Sequence, residues 1–269
     1  MRYTATKMLL LPPKCASRFC DRYVQADQLS PEQVPALLGL FDHYPHDDPR
    51  RMVGTDWCRH IPLRHIPDSI KNGKTPVVMS RDPYKWYESW WKHMSKQDFV
   101  WNAYWGHCGQ IQQVDLRTLG GVGMDLKVPG DVPPFKEALK GYIFGWTNQR
   151  NIQIAERVNG CNAIVWGENH LEMQAKESVG WWSHWMHYMA SKEQGAWNMD
   201  ARFILPDGDI EGALKGSGFA VSGETKERLG ADTAQEYGLE WDTEWDDEMR
   251  SWVEAADGPT LNLVRQQQA

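Results

Sequence analysis

The sequence has no long run of apolar residues. Its N-terminal apolar stretch covers only residues 8–11 and ends at two prolines, so it is too short for the core of a signal peptide or for a membrane span. The sequence also contains no N-x-[ST] acceptor site for glycosylation. From these absences we expect a soluble, cytoplasmic protein without a membrane partner.

Paired cysteines and excess positive charge are missing as well. The 5 cysteines are odd in number, are spread widely along the chain and include no CxxC pair, which is typical of reduced thiols in a cytosol rather than of a disulfide framework or a zinc site. The formal net charge of -7 argues against non-specific binding to nucleic acid. Basic residues gather instead within Arg50–His65, as an anionic ligand of an acidic protein would require.

The usual nucleotide-binding motifs are also absent. A Gly-Lys-Thr sequence occurs at residues 73–75, but Asp68 stands where a P-loop requires its first glycine, and the sequence precedes a predicted strand instead of following one. The segment 216–223 has Val221 where a dinucleotide-binding loop requires its third glycine. We therefore reject both motifs.

Short apolar runs that alternate with amphipathic segments predict an α/β fold, a mostly parallel β-sheet flanked by helices. The 269 residues suffice for one large domain over 1–269, and no Pro/Gly/Ser-rich linker marks a second one. The predicted strands cover residues 7–11, 50–57, 76–80 and 162–167. The predicted helices cover residues 17–28, 31–41, 62–73, 83–93, 134–160, 178–191 and 245–256, and we interpret residues 98–130 as a lid or an insertion.

The segment PPKCASRF, residues 12–19, follows the first predicted strand and has the properties of a phosphate-binding loop. The small residues Cys15, Ala16 and Ser17 allow main-chain amides to approach a ligand closely. A helix that begins near Ser17 offers N–H groups and the positive end of its dipole. Lys14 adds a mobile positive charge. The alternative is an ordinary turn between a strand and a helix, with a surface lysine.

A second segment, SRDPYKWYESWW at residues 80–91, joins the third predicted strand to a helix. Asp82 suits the N-cap and Pro83 the first helical position. Arg81 can hold a phosphate through its bidentate guanidinium. Ser89 lies two helical turns beyond the cap on nearly the same face, so one phosphate resting against the helix can meet both side chains. The alternative is a capped helix with a polar serine.

Together these segments resemble the sulfotransferases that use 3′-phosphoadenosine 5′-phosphosulfate (PAPS). PPKCASRF is similar to the family's 5′-phosphosulfate loop, usually Pro-Lys-x-Gly-Thr-Thr-Trp, and RDPYKWYES to its 3′-phosphate motif, Arg-x-Pro-x-x-Arg-x-x-Ser. RHIPLRHIP at 59–67 resembles the stretch that bears the catalytic histidine, and IVWGENHL at 164–171 resembles a later strand end. The four segments follow the family's order, and the resemblance spans residues 8–172.

The chain departs from the family's pattern at several positions. Ala16 replaces the usual glycine, and Arg18 and Phe19 replace the Thr-Trp pair, although Phe19 can still stack on a purine. Trp86 occupies the second arginine position of the 3′ motif, so part of the grip on the 3′-phosphate has to come from elsewhere, for example from Lys85.

The resemblance implies a P-loop NTPase-like sulfotransferase architecture. It also implies an enzyme that moves a sulfuryl group from PAPS to a hydroxyl or amine of a small-molecule or glycan acceptor, leaves 3′-phosphoadenosine 5′-phosphate (PAP) and requires no metal. The implied catalytic residues are Lys14 and His60. The implied nucleotide-binding residues are Lys14, Cys15, Ala16, Ser17, Arg18, Phe19, Arg81 and Ser89, with residues 214–223 as the best candidate to cover the adenosine.

The identity of the general base stays open at this point. His60 is preferred, because the ordinary near-neutral pKa of histidine suits the acceptance of a hydroxyl proton. His65 and Glu168 are the other candidates. Both histidines also suit a purely structural role, and as a metal pair they lack a convincing third ligand.

Two other functions stay open as well. A P-loop-like kinase for a small molecule would need a Mg²⁺-binding hydroxyl and acid, and the missing Gly-Lys-[Ser/Thr] loop weighs against it. A non-catalytic carbohydrate- or nucleotide-binding protein would use exposed members of the 15 tryptophans to stack on sugar rings. The sequence does not reveal the acceptor or the oligomeric state.

Overall fold

The protein has an α/β fold in the computed structural model. The structure describes residues 2–25, 61–96, 134–144, 179–193, 199–222 and 242–268. Their contacts divide the chain into two compact units. The first comprises Met1–Arg81, Met186–Trp241 and Leu263–Ala269, and the second comprises Asp82–Trp185 and Asp242–Asn262. The single domain over 1–269 stays a prediction.

A 4-stranded sheet organises the first unit. Its strands, in spatial order, are β1 (Arg2–Tyr3), β2 (Lys7–Leu10), β3 (Thr75–Met79) and β4 (Arg202–Ile204). β1 pairs with β2 antiparallel, whereas β2, β3 and β4 run parallel. The sheet is therefore mixed, and most of its strands are parallel.

The parallel strands are apolar and buried. Met8, Leu9 and Leu10 of β2 and Val78 and Met79 of β3 are all 0% exposed. Such continuous apolar runs are typical of parallel strands, because these strands are usually covered on both faces. In the register of the pair, Leu10 lies opposite Val78, so the residues that follow both strands leave the sheet at the same edge.

Helices make up most of the remaining described structure. They are α1 (Ser17–Tyr23), α2 (Asp68–Lys71), α3 (Pro83–Lys96), α4 (Phe135–Phe144), α5 (Trp181–Ala190), α6 (Ile210–Gly216) and α7 (Asp247–Gln266), and a 3₁₀ turn covers Leu63–His65. Within these ranges, no helix combines the length and the apolarity that a membrane crossing needs.

The start of α3 has the predicted cap. Asp82 Oδ1 accepts hydrogen bonds from the main-chain N–H groups of Tyr84 (3.0 Å) and Lys85 (3.3 Å), and Pro83 is the first helical residue. These bonds satisfy amides of the first turn, which have no acceptor within their own helix.

Stacked aromatic rings form the core of the second unit. Trp86 and Trp90, one turn apart on α3, stack with ring centroids 5.2 Å apart and an interplanar angle of 11°. Trp181 of α5 meets Trp90 edge-on at 4.6 Å, and Tyr87 stacks on Tyr142 of α4 at 6.2 Å. These offset and edge-on arrangements are the ones that aromatic rings prefer. The four rings on α3 and α5 therefore serve packing rather than ligand binding.

A buried carboxylate joins three helices of the second unit. Asp257 of α7 is 0% exposed and accepts hydrogen bonds from the Tyr87 hydroxyl (2.8 Å) and from the main-chain N–H of Ser183 (2.9 Å). The Tyr87 oxygen in turn accepts from the main-chain N–H of Trp182 at 3.2 Å. At Gly180, just before α5, the Asp257 carboxylate occupies the space that a Cβ atom would need. The carboxylate and the tyrosine thus cap the start of α5.

Several predicted elements are confirmed within the described residues. These are the strands at 7–11 and 76–80 and the helices that begin near 17, 83, 134 and 178, all with shifted bounds. The helix predicted over 62–73 is the 3₁₀ turn followed by α2, while β1, β4 and α6 were not predicted. Outside the described residues lie the predictions for 31–41, 50–57, 98–130 and 162–167 and the part of 134–160 beyond Phe144.

The predicted end of the last helix is wrong. An Asp-Gly-Pro sequence at 257–259 is a typical stop signal, yet α7 continues to Gln266 with Pro259 inside it. Leu261 and Val264 extend the buried face of the helix beyond the proline. Their burial outweighs the one main-chain hydrogen bond that the proline removes.

Asp257 gives the second unit a pH-dependent stability. Burial raises the pKa of Asp257 from 3.8 to about 6, although hydrogen bonds from Ser183 and Tyr87 lower it in part. The folded chain therefore holds this proton more tightly than the unfolded chain, so the stabilisation is full below the ordinary pKa and is lost as the pH rises through about 6. In the wild type, the free energy of unfolding should fall by on the order of 2–3 kcal/mol between about pH 4 and pH 7, as measured by urea titration. Asp257→Asn should abolish this fall.

Asp246→Asn is the matched control. The hydrogen bond from Lys136 (2.7 Å) lowers the pKa of the exposed Asp246 carboxyl, so its contribution is present at neutral pH and is lost as the pH falls. This variant should keep the downward slope that Asp257 causes. An Asp257→Asn profile as steep as that of the wild type would show that the buried carboxyl does not titrate in this window.

Candidate functional site

Residues Pro12–Cys15 form a tight turn soon after β2. The main-chain N–H of Cys15 donates a hydrogen bond to the carbonyl oxygen of Pro12 over 3.3 Å. The proline ring restricts φ of Pro13 to about −65°, and Lys14 has a φ of 62°. This combination is that of a type II turn, whose third position normally needs glycine or asparagine. Lys14, the predicted catalytic lysine, therefore has a backbone conformation that lysine rarely adopts.

Ala16 has the same unusual backbone. Its φ of 55° and ψ of 27° lie in the left-handed region, directly before α1. A left-handed residue other than glycine costs about 1–2 kcal/mol, and such residues concentrate at functional sites. In some loops, left-handed residues alternate with residues in the right-handed conformation. Successive main-chain N–H groups then point to one side, and this geometry binds anions.

Arg81 reaches the same loop from the end of the neighbouring strand. Its Nη1 atom donates a hydrogen bond to the main-chain oxygen of Lys14 over 3.2 Å. The parallel pairing of β2 with β3 brings the two segments to one sheet edge. The main chain of Lys14 and the side chain of Arg81 therefore meet at this edge, and both side chains are half-buried. We call Pro12–Ser17 together with Arg81 the loop site.

Cys15 is the buried member of the loop site, with 1% of its surface exposed. Burial raises the pKa of its thiol far above the ordinary value of 9.0, although the positive charges of Arg81 and Lys14 lower it in part. The thiol is therefore neutral and a poor nucleophile. Cys15 can meet a ligand only through its main chain.

The next predicted binding residues present little side-chain surface. Ser17, the first residue of α1, is 9% exposed, and Phe19 is 6% exposed. The Phe19 ring packs against Tyr23 with centroids 5.1 Å apart, so stacking on a purine would require it to leave this contact. The Arg18 side chain lies outside the described part of the structure.

The predicted 3′-phosphate motif is divided between the two units. Arg81 closes the first unit, whereas Trp86 and Ser89 belong to the second. Ser89 is half-exposed on α3. Trp86, at the second arginine position, is 0% exposed and stacks on Trp90, so it offers nothing to a phosphate.

The described residues do not decide between the candidate bases. His60 and Glu168 lie outside them, and so does the side chain of His65, although its backbone belongs to the 3₁₀ turn. Arg64 of the same turn places its guanidinium carbon 4.5 Å from the ring centroid of Tyr188. This member of the basic stretch therefore makes a cation–π contact with the protein itself.

The segment predicted to cover the adenosine lies at the opposite edge of the sheet. Lys7, the first residue of β2, donates to the carbonyl oxygen of Ser217 through Nζ, and the N–H of Ser222 donates to Tyr23 at the end of α1 over 2.9 Å. The chain reverses direction between β2 and α1, so both contacts lie away from the loop site. The described part of 214–223 therefore argues against the predicted role.

The other described features do not add a site at this edge. Within the described ranges, no group of three His, Cys, Asp or Glu side chains is placed to hold a metal ion. An open cavity of about 580 Å³ lies at the amino ends of β3 and β4, among Thr75, Asp200 and Arg202. It opens at the sheet edge opposite the loop site and is not the predicted nucleotide site.

Sequence reasoning identified Lys14 and Arg81 but missed the contact that joins them. The turn had a signal, because proline is favoured at the second position of type I and type II turns. The left-handed conformation of Lys14 had none, since glycine or asparagine is the usual residue at that position. The contact itself depends on strand pairing, which local sequence does not determine.

The strained backbone of the loop site predicts an unusual response to glycine. Ala16→Gly should raise the free energy of unfolding by roughly 0.5–1 kcal/mol, because glycine adopts a positive φ without the Cβ penalty. Chemical denaturation measures this change. The control is Ala213→Gly in α6, which should lower the same quantity by roughly 0.5–1 kcal/mol. If Ala16→Gly lowered the free energy of unfolding as much as Ala213→Gly does, this result would contradict the left-handed conformation of Ala16.

Comparison with known proteins returned no match. No protein-family model matches the chain, and no curated protein or solved structure matches it either.

Proposed function

We propose that the protein is a sulfotransferase with PAPS as its sulfuryl donor and with a P-loop NTPase-like sulfotransferase architecture. The observation that carries this proposal is the hydrogen bond between Arg81 and the main chain of Lys14 at the carboxyl edge of parallel strands. Nucleotides bind α/β sheets at this edge. The proposal also rests on the resemblance of both segments to the nucleotide motifs of the family.

In the proposed reaction the acceptor oxygen or nitrogen attacks sulfur in line, and the bond between sulfur and the phosphate oxygen breaks. The products are the sulfated acceptor and PAP. His60 removes the acceptor proton as general base, a contribution of typically ~10²–10⁴-fold. His65 and Glu168 are the alternatives for this step.

Lys14 has the electrostatic role in this reaction. Negative charge grows on the phosphate oxygen while its bond to sulfur breaks, and a nearby ammonium group stabilises that charge. The N–H groups at the start of α1 would support it, because they have no acceptor within their own helix. Lys14 and Arg81 are half-buried, and partial exclusion of water strengthens such interactions.

Arg81 and Ser89 would hold the 3′-phosphate. The family motif supplies a second arginine for this phosphate, but Trp86 stands at that position and is buried. The proposed 3′-phosphate site therefore has one arginine fewer. Lys85, exposed in the first turn of α3, offers a replacement charge. We therefore expect the 3′-phosphate to contribute less to affinity than the phosphate at the loop site.

Isothermal titration calorimetry with PAP and with ATP–Mg²⁺ tests the class of nucleotide. We expect PAP to bind at least about tenfold more tightly, and added salt to weaken its binding because the contacts are ionic. Binding of ATP–Mg²⁺ without PAP would favour a small-molecule kinase. Binding of neither nucleotide, with binding of simple sugars, would favour a carbohydrate-binding protein.

Transfer of labelled sulfate from PAPS to a mixed panel of phenols, alcohols and sugars tests the chemistry. Lys14→Ala and His60→Ala should each remove most turnover, whereas Arg81→Ala should mainly weaken PAP binding. Alanine at position 14 isolates the charge, because it faces the same left-handed backbone demand as lysine.

Lys74→Ala is the matched control for Lys14→Ala. Lys74 precedes β3 at the other edge of the sheet, and its loss changes the net charge by the same amount. It should leave transfer unchanged. Wild-type rates in both Lys14→Ala and His60→Ala would refute the roles assigned to these residues.

A further inference from the structure

The guanidinium of Arg81 donates a hydrogen bond to the protein main chain. Its acceptor is the carbonyl oxygen of Lys14, the residue with a φ of 62°. We infer that Arg81 is a positioning residue, which holds the left-handed backbone of Lys14 and so keeps the loop site in its closed conformation, with Cys15 buried. This inference concerns the ligand-free chain and does not depend on the proposed function.

The turn needs such support because its own hydrogen bond is long. The Cys15 N–H lies 3.3 Å from the Pro12 oxygen, beyond the usual range of about 2.7–3.2 Å. Lysine at the third position of the turn adds a backbone cost that glycine would avoid. The guanidinium of Arg81 adds a second hydrogen bond to this turn, over 3.2 Å and from a charged donor, and this bond offsets part of the cost.

The sheet anchors Arg81 and makes it suitable for this role. Ser80, the preceding residue, is 1% exposed, and its main-chain N–H donates to the carbonyl oxygen of Ile204 at the end of β4 over 2.7 Å. The Ser80 hydroxyl also lies 3.4 Å from the sulfur of Met186. The backbone next to Arg81 is thus hydrogen-bonded to β4. The strained residues, Lys14 and Ala16, lie in the loop that the Arg81 guanidinium contacts.

Cys15 provides a direct measure of whether the loop stays closed. It lies between the two left-handed residues and is 1% exposed, whereas Cys20 in α1 is 0% exposed and serves as an internal reference. The positive charge of Arg81 lowers the pKa of the Cys15 thiol. Loss of this charge alone would raise that pKa and slow alkylation, because the thiolate is the reactive form. Faster alkylation of Cys15 can therefore come only from its exposure.

The experiment compares the ligand-free wild type with Arg81→Gln and Arg81→Lys. Each is treated with iodoacetamide at fixed pH, and the modification of Cys15 and Cys20 is followed by peptide mass spectrometry. Arg81→Gln should accelerate alkylation of Cys15 on the order of tenfold relative to Cys20. Arg81→Lys keeps the charge but loses the planar donor fork, so it should lie between the wild type and Arg81→Gln.

A selective rise at Cys15 supports the positioning role of Arg81. Equal acceleration of Cys15 and Cys20 would mean general destabilisation and would overturn it, as would unchanged rates at both thiols. If Arg81→Gln does not fold, Arg81→Lys decides by the same ratio. Failure of PAP to bind the wild type would refute the proposed function and leave this result as it stands.

Discussion

The parallel pairing of β2 with β3 is the constraint on which the loop site depends. With Leu10 opposite Val78, the chain leaves both strands at the same edge. The segment after β2 turns back through two prolines, and the segment after β3 ends in Arg81. Two stretches 67 residues apart in sequence are thereby close enough for a side chain of one to bond the main chain of the other. Parallel sheets place binding sites at this edge for the same reason.

The loop site and the second unit solve a similar problem in different ways. Both must satisfy main-chain groups near the start of a helix. In the second unit the Asp257 carboxylate and the Tyr87 hydroxyl receive amides of α5 in a fully buried setting. Burial raises the pKa of that carboxyl, which makes its charge costly near neutral pH. At the loop site, none of the described side chains caps the start of α1 at Ala16.

Local patterns predicted the elements that local physics controls. The apolar runs of β2 and β3 and the Asp82–Pro83 start of α3 follow from residue type and spacing, and they are confirmed. The three-residue strand β4 has too little periodicity to be recognised. The end of α7 was misjudged because burial of Leu261 and Val264 overrides a local stop signal. Burial is a tertiary property, so the residues next to Pro259 could not reveal it.

The amino-acid sequence by itself determined the α/β class, the proline turn and the presence of Lys14 and Arg81 just after two apolar strands, because each depends on residue type and short spacing. Only the tertiary structure decided that Arg81 bonds the carbonyl oxygen of Lys14. It also decided that residues 214–222, the described part of the segment predicted to cover the adenosine, lie at the other edge of the sheet. Both outcomes depend on strand order and register, which bring together residues far apart in the chain.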